Sequence, residues 1–231
     1  MSTSLKINKN VKEVFSFNSF LEATFKDDIN AICLQRSLQG NFAEIIDKII
    51  CIDKITVISA KDLAALKLTK KGNIARELLL NDMKMLEEKG AAPVLNIIKN
   101  YDADDSYPFF PTDVYSFHVD KSPIPTATYL CTYFGEASEI VSNSEATQKI
   151  LIPEIRKELL KLHNGKEEGF ETFLSDFYFD LHYQANPNAQ ITNLGIGNFW
   201  KLAVDHPTSK VLPCIHRAPK EKGQTRLLMI C

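Results

Sequence analysis

No stretch of this 231-residue sequence approaches the run of about 18 apolar residues that marks a membrane-spanning helix, so no membrane partner is expected. A surplus of basic charge is also missing. With 27 Lys and Arg against 29 Asp and Glu, the formal charge is −2, and no basic field exists to displace the counterions of a phosphate backbone. Nucleic acid is therefore not an expected partner. Cysteine is sparse and odd in number, and Cys33, Cys51, Cys131, Cys214 and Cys231 never fall in Cys-x-x-Cys spacing. That excludes a sequence-evident zinc knuckle and disfavours a disulfide framework, so a reducing cytoplasm is the expected compartment. Cys131 and Cys214 lie in apolar runs and read as small core residues. Met1-Ser2-Thr3-Ser4-Leu5-Lys6 lacks the charged-then-apolar layout of a secretory signal. The single tryptophan, Trp200, reads as core, and the sequence holds no internal repeat or low-complexity tract.

What is present fits one globular unit over residues 1–231, with 45% hydrophobic and 24% charged residues. Up to residue 90 helical patterns dominate. Phe20–Leu34 and Phe42–Ile50 carry apolar groups at three- and four-residue spacing, Asp53–Ala60 reads as a brief strand, and the helix signal is strongest from Ala60 to about Lys89. Asn73 resembles its cap, with Glu77 in the first turn, and Gly90 stops it. From residue 91 the period moves toward two. Strands are expected at Pro93–Tyr101, Val114–Val119, Thr126–Phe134, Gly197–Val204, Lys210–His216 and Gln224–Cys231, with Pro213 marking a bulge or an edge. Several short strands at this spacing suggest a sandwich or barrel, interrupted by an insertion over about 136–193 that holds a helix at Ile152–His163. Thr172–Tyr183 reads as a hydrophobic packing layer.

Within the strand-rich part, His118-Val119-Asp120 places an imidazole and a carboxylate two residues apart, on one face of a strand. His216, on another strand, can add a second imidazole. Two histidines and one carboxylate cover one face of a non-haem Fe(II) and leave the other open. Arg226 follows His216 by ten residues, where the hairpin partner of the His216 strand would carry it, with Lys220-Glu221-Lys222-Gly223 as the turn. Its guanidinium could clamp a carboxylate in bidentate fashion. Strand parity puts Arg226 on a face with Leu228 and Ile230, where a charge is costly unless paired, either with a structural Asp or Glu or with a ligand. Asp180-Leu181-His182 offers a weaker alternative pair in reverse order. Arg217 alternates away from the site, and an ion pair is its expected role.

The order His-x-Asp, distant His, then Arg resembles the Fe(II)/2-oxoglutarate-dependent dioxygenase superfamily. More closely, "FHVD", "YLCTYFGEASE" and "IHRAPKEKGQTRLLM" resemble an uncharacterised bacterial domain family of that type, over about Val94 to Cys231. The resemblance implies an α+β protein built on a double-stranded β-helix (a cupin-like jelly roll), with a helical N-terminal part. It implies Fe(II) on His118, Asp120 and His216, with 2-oxoglutarate as co-substrate anchored by Arg226. A hydroxyl from Thr128 or Tyr129 assists in that scheme, and the substrate is left open. Two alternatives stay open: a cupin-type protein that binds Zn²⁺ or another divalent ion without oxygenase activity, and a non-catalytic β-sandwich interaction module in which the triad is coincidental.

Overall fold

The computed structural model describes residues 9–220 and 222–231. The Met1–Lys6 reading, and Glu221 of the Lys220–Gly223 turn, lie outside the described residues. The chain begins with β1 (Val11–Val14), α1 (Phe17–Glu22), β2 (Ala31–Leu34), α2 (Phe42–Lys48), β3 (Ile55–Ile58), α3 (Ala60–Ala65) and α4 (Lys70–Glu87). It continues through β4 (Val94–Ile98), β5 (Phe117–His118), β6 (Ala127–Phe134), β7 (Glu139–Val141) and β8 (Ala146–Gln148). Then follow α5 (Pro153–Leu162), α6 (Phe170–Asp176), β9 (His182–Ala185), β10 (Thr192–Asn193), β11 (Phe199–Ala203), β12 (Ile215–Arg217) and β13 (Arg226–Ile230).

These strands form a mixed α+β protein with two sheets. The seven-stranded sheet runs β1-β2-β11-β6-β13-β4-β3, and the six-stranded antiparallel sheet, curled into a half-barrel, runs β10-β7-β12-β5-β9-β8. From β4 to β7, and again from β11 to β13, consecutive strands alternate between the sheets. One face of the large sheet packs on the helices, where Phe20, Ile45, Leu79 and Leu86 meet Ile97, Tyr133, Phe199 and Leu227. The other face looks toward the small sheet: Leu130, Trp200, Leu202 and Leu228 cluster with Ile140 and Cys214. Cys131 and Cys214 are both buried, as is Trp200, whose Nε1 donates to Leu194 O at 2.9 Å. Arg36 and Asp82 tie α4 to the sheet: Arg36 Nη1 donates to Asp82 Oδ1 at 2.8 Å, and the Tyr133 hydroxyl donates to Asp82 Oδ2 at 2.7 Å.

Several expectations are corrected. The helix foreseen over Phe20–Leu34 is α1 followed by a strand. Ala31–Leu34 is buried at all four positions between β1 and β11, so its apolar run carries neither a two-residue nor a helical period. The helical signal from Ala60 to Lys89 resolves into α3 and α4, and the cap of α4 is not Asn73. Thr69 caps α4 by accepting from Gly72 N at 3.3 Å, while Asn73 lies inside the helix and reaches back to Leu68 O. The strand foreseen at Lys210–His216 shrinks to β12, beyond Pro213. The stretch read as an insertion contributes four strands, β7, β8, β9 and β10, to the small sheet. Most consequential, β12 and β13 are not a hairpin. β12 lies between β7 and β5 in the small sheet, β13 lies between β6 and β4 in the large one, and the Lys222-Gly223 connection crosses between sheets.

Candidate metal centre

The loop before β5 is fixed by Asp113, whose Oδ1 accepts from the Tyr115 and Ser116 amides at 3.0 and 3.3 Å. β5 then pairs on both sides. His118 lies directly opposite His216 of β12 and directly opposite His182 of β9. Cross-strand partners share a face, so three imidazoles form a row, with centroids 4.6 Å apart for His118–His216 and 5.9 Å for His118–His182. Phe117 and Val119 turn to the other face, against Val141 and Ile215. Asp120 returns to the histidine face. Its backbone is held because Asp205 N donates to Asp120 O at 2.8 Å and Val119 N donates to Leu181 O at 3.0 Å.

His118, Asp120 and His216 each offer one ligand atom, all within 4.8 Å of one another. His216 Nε2 lies 3.6 Å from Asp120 Oδ2. That is too long for a hydrogen bond. It lies within the roughly 4 Å that two metal bonds of about 2.0–2.2 Å can span. The donor set fits a divalent cation in a second respect. His118 Nδ1 donates to Ser116 O at 2.8 Å and His216 Nδ1 to Cys214 O at 3.2 Å, so each ring presents its Nε2 lone pair. A backbone carbonyl two residues upstream thus fixes the tautomer of each ligand. Asp120 Oδ2 accepts from the Thr128 hydroxyl of β6. Burial, and then the neighbouring His216, push the His118 pKa down to about 4, so the ring is neutral near pH 7 as a ligand must be. His182 is pushed down to about 3 by burial and then by His118.

Of the remaining expected residues, Thr128 joins the group through Asp120, while Tyr129 does not. Alternation along β6 turns Tyr129 to the helix-covered face, edge-on to Phe20 at 6.0 Å, which removes it from the set around Asp120. Arg226 is buried on the face that looks toward the small sheet, and its Nη2 donates to Thr132 Oγ1 at 3.1 Å and Ser138 Oγ at 2.6 Å. Arg217 makes its expected ion pair, with Glu139 at 2.7 Å. The reverse pair separates: Asp180 faces Lys121 at 3.8 Å, and His182 enters the imidazole row.

His182, which the sequence offered only in the reverse pair with Asp180, completes the surroundings. His182 is buried, packs edge-on to Phe110, and its Nδ1 finds no hydrogen-bond partner among the described residues. It lines a cavity of about 250 Å³ together with His118, Asp120 and Tyr178. Tyr178 has a left-handed backbone (φ 59°), an uncommon conformation for a bulky residue, stationed at this cavity. The only signal for His182 in the sequence was its spacing from Asp180, and its register against His118 is a tertiary fact. Phe173 and Leu174 pack against Phe110, Leu159 and Phe179, the expected hydrophobic layer. No protein-family model, curated protein or solved structure matches this chain, so the superfamily resemblance rests on its own motifs.

Proposed function

We propose that the protein is a non-haem Fe(II)- and 2-oxoglutarate-dependent oxygenase, with His118, Asp120 and His216 holding the metal. The observation that carries the metal is the pinning of both Nδ1 atoms to carbonyls two residues upstream, which commits both Nε2 atoms and Asp120 to one point. The strand order supports a double-stranded β-helix. The alternation of β4 to β7 and β11 to β13 between two sheets is what that fold requires, and it sets β12, with His216, beside β5, with His118. Iron with a bound 2-oxo acid supplies the activation of O₂ needed to hydroxylate a C–H bond. The chain's own groups bind and orient. Arg226, buried and braced by the Thr132 and Ser138 hydroxyls, receives the distal carboxylate of the co-substrate. Thr128 fixes the Asp120 carboxylate. The cavity lined by His118 and His182 admits the reacting part of a substrate.

Metal analysis of anaerobically purified protein, with 2-oxoglutarate titrated against the visible charge-transfer band, tests this reading. Iron with a co-substrate-dependent band is the expected result, and Arg226→Leu abolishes the band while leaving iron content intact. Tight zinc with no response would assign a cupin-type metal protein. No metal in the wild type would overturn both readings in favour of an interaction module.

A further inference from the structure

A second cleft, of about 670 Å³, opens beside the ligand strands and is lined by Lys149, Arg217, Lys220, Tyr101, Tyr115 and Asp113. Of these Lys149 is only 9% exposed. Nζ donates to Pro111 O at 3.2 Å and to Ser116 Oγ at 2.6 Å, and lies 4.9 Å from the centre of the Phe110 ring. Among the described residues no carboxylate oxygen lies within 4 Å of Nζ. A carbonyl, a hydroxyl and a ring face soften the burial of an ammonium, but none of the three carries a countercharge. Asp113 also faces the cleft and attracts Lys149 from beyond ion-pair distance, while its two oxygens accept from the amides of Asp104, Tyr115 and Ser116. Arg217 is balanced by Glu139, and Lys220 adds an exposed charge at the rim. The result is a concave surface with a buried cation at its base and a second one at its edge.

We infer that this cleft is an anion site for the carboxylate or phosphate group of a small molecule, held by Lys149 and Lys220. It stands apart from Arg226 and does not depend on the metal reading. Ser116 joins the two regions, since its hydroxyl accepts from Lys149 and its carbonyl accepts from His118 Nδ1. The acidic end of a ligand in the cleft therefore lies one residue away from the support of a candidate metal ligand.

The test is calorimetric titration of the metal-stripped full chain with inorganic phosphate and, separately, with succinate. Saturable one-site binding of at least one of them is expected, and which one binds tells a phosphate-bearing from a carboxylate-bearing ligand. Lys149→Met is expected to weaken it by about tenfold or more, the loss of one charge-assisted contact. Lys220→Ala weakens it several-fold, while Lys149→Arg retains it. If Lys149→Met does not fold, the exposed Lys220→Ala variant carries the same test. No saturable binding of either anion to the wild type would overturn the inference. So would binding that survives Lys149→Met and Lys220→Ala unchanged. Failure of the iron and 2-oxoglutarate experiment leaves this result untouched, because the protein titrated here holds no metal.

Discussion

Replacing Thr128 by Val isolates the support of the carboxylate from the ligands themselves. The two side chains have nearly the same shape, and Thr128 is buried on β6, so the change removes little except the hydroxyl that donates to Asp120 Oδ2. Loss of such a supporting contact weakens metal binding by about 10–100-fold. Because the Asp120 side chain is 36% exposed, water partly replaces the lost donor, and the lower end applies. A tenfold loss corresponds to about 1.4 kcal/mol. At a metal concentration of about 100 times the wild-type Kd, the wild type gains about 2.7 kcal/mol of stability and the variant about 1.4 kcal/mol. For a chain of this length each kcal/mol moves Tm by about 2–4 °C. The metal-induced rise is then about 5–11 °C in the wild type and about 3–6 °C in Thr128→Val. Co(II) titration by calorimetry, with thermal melts on metal-free and loaded protein, reads both quantities. Equal Co(II) affinity in the two proteins would refute the idea that the Thr128 hydroxyl fixes a ligand.

Protonation of the buried imidazoles makes the metal-free protein acid-sensitive. An unfolded histidine takes its proton near pH 6.5, whereas folded His118 does so near 4 and His182 near 3, so the unfolded state binds more protons in between. Stability is therefore full above about pH 7 and falls as the pH drops toward 4, by on the order of 3 kcal/mol from His118 alone. Denaturant titrations at pH 7, 5.5 and 4.5 check the slope, and a flat profile contradicts neutral buried rings. Asp82→Ala removes the carboxylate partner of the Arg36 guanidinium and leaves the Tyr133 hydroxyl only the weak acceptor Met229 Sδ, and should cost about 3–5 kcal/mol in urea unfolding. Metal affinity of the remaining folded fraction should stay at the wild-type value. Gly135→Ala forces a side chain onto a residue at φ +84°, with its Cβ 2.7 Å from Thr225 O and 3.0 Å from Arg226 Cα. It should destabilise by more than about 1 kcal/mol and displace the start of β13. A neutral result in the same unfolding assay would rule out that close approach.

The sequence by itself determined the local pieces. Thr126–Phe134, rich in Thr and aromatics and free of Gly and Pro, becomes β6, Asp53–Ala60 contains β3, and Gly90 follows the end of α4, because these signals depend on neighbours along the chain. It also placed His118 and Asp120 on one face and Arg226 on an apolar one, since strand parity is local. The assembly was decided elsewhere. Whether β13 pairs with β12 or joins the other sheet depends on which distant strands flank it, and β13 found its place between β4 and β6. The choice between Thr128 and Tyr129 required knowing which face of β6 the helices cover. His182 joined the imidazole row through a register with β5 that no spacing encodes. Lys149 became a buried cation only when the insertion folded over Phe110 and Ser116. Side-chain direction repeats every two residues and is legible in one dimension, whereas partner strands and burial arise only where distant segments meet.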